Sequence, residues 1–229
     1  MQIILIPGLM NDGWVWRHQI GPLSRIAPVT IAWNDGCGSL GAMAERLLSA
    51  TTGPLFIIGH SMGGRVALEA CARAPQRIER LVLLDSGCAG PSDDEADGRL
   101  KLVELALRDG MRAVAETWLP PMLSAAARKN KTLIADIGAM LERCRPEDFA
   151  GQQSALINRP DRQALLGEIP CPSLFITGSE DALSPPGDNA AMARLAADGR
   201  FTEISGAGHF VPVEAPEKLN EALIGFLAG

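Results

Sequence analysis

Residues Gly59-His60-Ser61-Met62-Gly63-Gly64 set one serine midway between two glycines, each two positions away. This G-x-S-x-G spacing directly follows the apolar run Leu55–Ile58 and precedes a segment of helical composition, Arg65–Arg73. A strand that turns sharply into a helix holds such a serine in a strained backbone conformation and lifts its hydroxyl above the sheet edge. Glycines at the flanking positions remove the collisions that the turn would otherwise create. The chemistry served is nucleophilic attack on a carbonyl, with the N–H of Met62 at the helix start facing the developing oxyanion.

A serine hydroxyl needs a base, and the chain has three histidines. His60 adjoins Ser61 and points away from its Oγ; His18 falls in a helical pattern beside Trp16 as a surface or packing residue. His209, in Gly206-Ala207-Gly208-His209-Phe210, follows the last apolar run and precedes the final helix. That is the carboxyl edge of the sheet, where functional loops gather, so His209 is the expected base. The acid that orients it is expected to be Asp181, because the order Ser–Asp–His then falls on successive strand ends. Asp85, which ends another apolar run, is the second candidate and suits capping a loop or positioning the next segment; Glu180 is the third. The second oxyanion donor is expected to be the backbone N–H of Leu9, in Pro7-Gly8-Leu9-Met10 after the first apolar run.

The elements that must position these groups follow from apolar patterning. Ile3–Ile6, Val29–Trp33, Leu55–Ile58, Leu81–Leu84, Leu174–Thr177 and Phe201–Ile204 are short, continuously apolar or β-rich runs. Leu40–Leu48, Arg65–Arg73, Asn189–Ala196 and Glu217–Leu227 lie between or after them as helical segments. Strand–helix alternation with strands apolar on both faces implies an α/β fold, a mostly parallel sheet covered by helices on both sides. Residues 87–167 hold no β-rich run, only helical segments broken at Asp109-Gly110, Pro120-Pro121 and Pro146. Their acidic start, Ser92–Glu95, reads as a solvated linker or a helix N-terminus. The expected organisation is a core of residues 1–86 and 168–229, interrupted by a helical insertion over 87–167.

The chain has 229 residues, 47% hydrophobic and 21% charged, enough for one well-buried core. With 27 acidic against 21 basic side chains, a nucleic-acid partner is not expected, since phosphate contacts need a concentrated positive field. No apolar run approaches the roughly 18–20 residues that span a bilayer, so no membrane partner is expected. The N-terminus lacks the basic and small-residue features of a signal peptide. Five scattered cysteines without C-x-x-C spacing fit reduced, buried thiols, and a cytoplasmic protein, monomeric or a small homo-oligomer, is expected.

Taken together, Pro-Gly-Leu-Met at residues 7–10, the Ser61 turn, Gly-x-x-Asp at Asp181 and Gly-x-Gly-His at His209 resemble the α/β-hydrolase superfamily, specifically its small cap-bearing serine hydrolases. The resemblance spans nearly the whole chain. It implies a helical cap inserted after the strand that ends at Asp85. Family members usually carry His-Gly where this chain has Pro7-Gly8, and the usual N-terminal antiparallel hairpin has no counterpart here, so about six parallel strands are expected. A serine at the turn argues against the relatives that use an aspartate nucleophile.

The expected reaction is hydrolysis of a small carboxylic ester through an acyl-enzyme on Ser61. Lactonase, carbon–carbon hydrolase and cofactor-free haloperoxidase activities share the same three residues, and a non-catalytic small-molecule receptor is the alternative of a different class. No cofactor or metal is expected: the chain has no dinucleotide fingerprint, phosphate-binding loop or His/Cys cluster. The substrate pocket is expected to include Met10, Trp118, Met122 and Phe210, with Trp118 and Met122 turned over Ser61 by the Pro120-Pro121 bend.

Overall fold

The computed structural model describes residues 1–92 and 94–228. Six strands form one sheet: β1 (Gln2–Ile6), β2 (Val29–Ile31), β3 (Leu55–His60), β4 (Ile78–Leu84), β5 (Ser173–Gly178) and β6 (Gly199–Ile204). Their order is β2-β1-β3-β4-β5-β6, and every pairing is parallel rather than only most of them. All residues of β3 and β5 are buried, so both faces of the central sheet are covered, which is why these strands read as unbroken apolar runs. The edge strand β2 stops at Ile31, short of the expected Trp33, whose side chain is exposed. An edge strand has one neighbour, and the chain leaves β1 after the Ala32 N–H bonds to the Leu5 carbonyl.

Helices α1 (Ile20–Leu23), α2 (Leu40–Ser49) and α3 (Met62–Arg73) follow the first strands. The third starts at Met62, three residues before the expected Arg65, because the turn at Ser61 passes straight into the helix. Between β4 and β5 lie α4 (Glu95–Trp118), α5 (Lys131–Leu141) and α6 (Pro146–Ile157). Two 3-10 turns, Pro120–Met122 and Ala127–Lys129, link α4 to α5, and a third, Ala164–Glu168, follows α6, while among the described residues this stretch contains no strand. The expected breaks are all present. Gly110 interrupts α4 with φ 82°, a 3-10 turn occupies Pro120–Met122, and Pro146 opens α6. Of the acidic Ser92–Glu95 stretch, Glu95 begins α4 and Asp93 lies outside the described residues. Helices α7 (Pro186–Leu195), α8 (Val211–Glu214) and α9 (Pro216–Ala228) complete the chain. Among the described residues no helix is long and apolar enough to cross a membrane.

The strand ends thereby set the site. β1, β3, β4 and β5 run side by side in one direction, so the loops that follow Ile6, His60, Leu84 and Gly178 open on one edge, beneath the helices between β4 and β5.

Candidate active site

Ser61 is the only residue between the end of β3 and the start of α3. Its backbone sits at φ 54°, ψ −117°, a conformation that L-residues rarely adopt. A Cβ on Gly59 would lie 2.3 Å from the Gly63 carbonyl oxygen, and one on Gly63 would lie 2.1 Å from the Ile6 carbonyl oxygen. Only glycine lets the turn and the neighbouring strand approach this closely.

The Oγ of Ser61 lies 2.9 Å from His209 Nε2, and His209 Nδ1 lies 2.8 Å from Asp181 Oδ2. With the Nδ1–H donating to the carboxylate, Nε2 is left to accept the serine proton. Asp181 is held from its other side: Oδ1 accepts from the N–H groups of Leu183 (2.8 Å) and Ser184 (3.0 Å). Burial opposes ionisation of this carboxyl, yet the His209 ring and those two amides outweigh it and keep the group below the usual carboxylate range.

Asp85, the second candidate, does not reach His209. Its φ of 48° turns the side chain beneath the loops, where Oδ1 accepts from Gly178 N–H (3.1 Å) and Oδ2 from Val211 N–H (3.3 Å). Complete burial, with Asp181 nearby, pushes its pKa well above the ordinary value. Glu180, the third candidate, is turned outward and accepts from the Ala125 N–H at 2.7 Å.

His60 points away from Ser61 Oγ and has a structural place that its sequence position did not disclose. Its Nε2–H donates to the His209 carbonyl at 2.8 Å, and its Nδ1 accepts from the Asn11 amide at 3.3 Å. Burial, reinforced by His209, lowers its pKa to about 3, so the ring is neutral. Glu214 is a second unforeseen support: its carboxylate accepts from the N–H groups of Ser124 (3.0 Å), Gly208 (3.1 Å) and Phe210 (3.1 Å).

A cavity of about 600 Å³ opens on Ser61 and is also lined by Leu9, Met62 and Trp118. The N–H groups of Leu9 and Met62 have no hydrogen-bond partner among the described residues. Three expected pocket residues lie elsewhere. Met10, with φ 61°, is buried, donates its N–H to Gln152 Oε1 at 2.8 Å, and lines a separate cavity of about 440 Å³ behind the loop after β1. Met122 is outside the lining of the Ser61 cavity, and its carbonyl instead accepts the His209 N–H at 2.7 Å. Phe210 is fully buried between the rings of His60, His209 and Trp118, with centroids 5.8, 6.2 and 6.1 Å away. A side chain immediately after the His209 loop is drawn into the core because α8 begins there.

The unexpected wall is charged. Arg65, Glu95, Arg99 and Arg159 all line the Ser61 cavity. Arg65, four residues after Ser61 on α3, was open to detection from helical spacing. Glu95 and Arg99 come from α4 and Arg159 from the loop after α6, and nothing local in the sequence links them to Ser61. Among the described residues no group of three or more His, Cys, Asp or Glu side chains has the arrangement of a metal site.

The chain is similar to known hydrolases in sequence and fold. The chain is 26% identical over 173 residues to a pimeloyl-[acyl-carrier protein] methyl ester esterase of Chromobacterium violaceum, covering 73% of this chain and 68% of that one. It is 28% identical to a thermophilic esterase from Thermogutta terrifontis, with a TM-score of 0.92 over 100% of this chain and 89% of that one. An enol-lactonase from Burkholderia xenovorans, 23% identical, shares the fold with a TM-score of 0.90 over 100% and 91% of the two chains. Residues 3–222 match the alpha/beta hydrolase family, and the chain therefore belongs to that family of hydrolases.

Proposed function

We propose that the protein is a serine hydrolase that cleaves a small carboxylic ester, with Ser61 as nucleophile, His209 as base and Asp181 as the acid that orients it. The observation that carries this reading is the pair of contacts made by one imidazole, 2.9 Å to Ser61 Oγ and 2.8 Å to Asp181 Oδ2. As Ser61 attacks the ester carbonyl, His209 Nε2 takes its proton and passes it to the leaving alkoxide. The N–H groups of Leu9 and Met62 receive the charge that develops on the carbonyl oxygen. Water then gives a proton to the same Nε2 and attacks the acyl carbon; the bond to Ser61 Oγ breaks, Nε2 returns the proton to that oxygen, and the acid leaves. The esterase relatives support this chemistry, and Trp118 on the cavity wall supports an apolar contact to a small-molecule substrate.

The helices of residues 87–167 act in this reading as a cap over a core of residues 1–86 and 168–229. They supply the outer wall of the pocket while the core supplies the reacting groups.

The test is covalent labelling by a fluorophosphonate, with hydrolysis of p-nitrophenyl butyrate measured alongside. Labelling at Ser61, and loss of both labelling and hydrolysis in Ser61→Ala, are expected. Undiminished hydrolysis by the Ser61→Ala protein would refute the assignment.

A further inference from the structure

The charged wall of the Ser61 cavity is out of balance. Glu95 is fully engaged: Arg159 grips both of its oxygens at 2.7 Å, and Arg99 adds a contact of 2.7 Å. Two guanidinium groups thus share one carboxylate. These contacts hold Glu95 down at about 2: burial works against them, but the bonds to Arg159 and Arg99 prevail.

Arg65 stands beside this cluster without an acid of its own. Among the described residues it forms no ion pair, and its contact is with a neutral group, the Ala89 carbonyl at 2.7 Å. Asp161, on the neighbouring loop, is turned to the N–H groups of Gln163 (2.8 Å) and Gly90 (3.3 Å). The other acids on the cavity wall do not offset Arg65. Asp85 faces the Gly178 and Val211 amides at the floor, and Asp94 is exposed at the rim, where water screens it. Burial, together with the like charge of Arg159, lowers Arg65 to about 10, the response of a guanidinium short of an anion.

Position makes this surplus usable. Arg65 lies one helical turn beyond Ser61, a rise of roughly 6 Å along α3, and both residues face the same cavity. A planar guanidinium with free N–H groups matches a carboxylate through two parallel hydrogen bonds.

We propose that the Ser61 cavity selects an ester whose acyl or alcohol part ends in a carboxylate, which Arg65 binds a few bonds away from the scissile carbonyl. The proposal rests on Ser61 being the nucleophile of the proposed hydrolase. It names the class of substrate that this hydrolase prefers.

The experiment compares two aryl esters of equal acyl length, p-nitrophenyl hexanoate and the mono-p-nitrophenyl ester of adipate, after subtraction of spontaneous hydrolysis. A charge-assisted pair predicts kcat/KM about tenfold or more in favour of the carboxylated ester, falling as salt is added. Arg65→Met should bring that ratio close to one, and Arg65→Lys, which keeps the charge but not the fork, should restore only part of it. A ratio of one in the parent, or a ratio unchanged by Arg65→Met, overturns the proposal. If Ser61 is labelled by fluorophosphonate while the ratio stays flat, only the anion preference falls. If Ser61 is not labelled and neither ester is cleaved, the hydrolase reading falls. The anion site is then judged by calorimetric binding of adipate to the Ser61→Ala protein. A loss of about tenfold or more on adding Arg65→Met supports the site, and equal binding refutes it.

Discussion

The backbone N–H of His209 donates to the carbonyl of Met122 at 2.7 Å, so the loop that carries the imidazole hangs from the turn between α4 and α5. The two segments meet at Gly208, where a Cβ would lie 2.6 Å from the Ser124 nitrogen and 2.7 Å from the Met122 oxygen. The His209 loop and the segment between α4 and α5 are therefore coupled through main-chain contacts, alongside the Glu214 carboxylate and the Phe210–Trp118 ring pair.

Gly208→Ala should push the His209 loop away from that turn. The contacts are with backbone atoms that cannot rotate aside, and a displacement of about 1 Å is enough to cost roughly 100-fold in rate. We expect kcat to fall by about that factor while the protein remains folded. Near-parent kcat in a folded Gly208→Ala protein would show that the loop adapts.

Glu214→Gln tests the same junction from its other side. A carboxylate accepts three N–H bonds here, from Ser124, Gly208 and Phe210, whereas an amide turns one of its two atoms into a donor. Thermal or denaturant unfolding should register a loss of about 1–3 kcal/mol, with Glu214→Asp recovering little because its shorter stem cannot reach all three.

Asp181→Asn and Asp85→Asn should separate activity from stability. Asp181 holds the His209 Nδ1–H at 2.8 Å, and its amide would leave the imidazole in the wrong tautomer, costing about 10⁴ in kcat by analogy with serine proteases. Asp85 bonds to the backbone of Gly178 and Val211, so its replacement should lower the melting temperature more than kcat. The reverse ranking would move the acid role to Asp85.

The His60 ring should make the fold acid-sensitive in a defined window. Its folded pKa is lowered from 6.5 to about 3, so below pH 6.5 the unfolded chain takes up a proton that the folded chain refuses. Stability from this group is complete above 6.5 and declines as pH falls towards 3, by up to about 1.4 kcal/mol per pH unit. Asp85, 3.6 Å from His60 Nε2, has its pKa shifted upwards and contributes in the opposite direction, so it blunts the slope. Unfolding free energies measured between pH 4 and 7 should show a shallower slope in His60→Gln than in the parent. Equal slopes would mean that the ring is not excluded from protonation.

Local signals carried the turn at Ser61, because strand, glycine spacing and helix start are all written within about a dozen consecutive residues. Chain order and the Gly-x-Gly approach likewise marked His209, and unbroken apolar runs marked β1, β3 and β5. Chain order also favoured Asp181 over Asp85, but the reason for that outcome is not local. Both aspartates follow strands, and the tertiary structure, through the φ of Asp85 and its bonds to Gly178 and Val211, turns one away and leaves the other on His209. The pocket wall was least legible. Met122 and Phe210 looked exposed to substrate from their neighbours in the chain, yet one gives its carbonyl to His209 and the other fills the core. Arg99 on α4 and Arg159 in the loop after α6 reach the Ser61 cavity from 38 and 98 residues further along the chain. Spacing along a chain encodes the geometry of a single turn or helix, whereas contacts between distant segments depend on how the helical insertion packs over the sheet. For this protein the turn at Ser61 and the place of His209 belong to the first kind of information, and the contact between Asp181 and His209 and the charged pocket wall belong to the second.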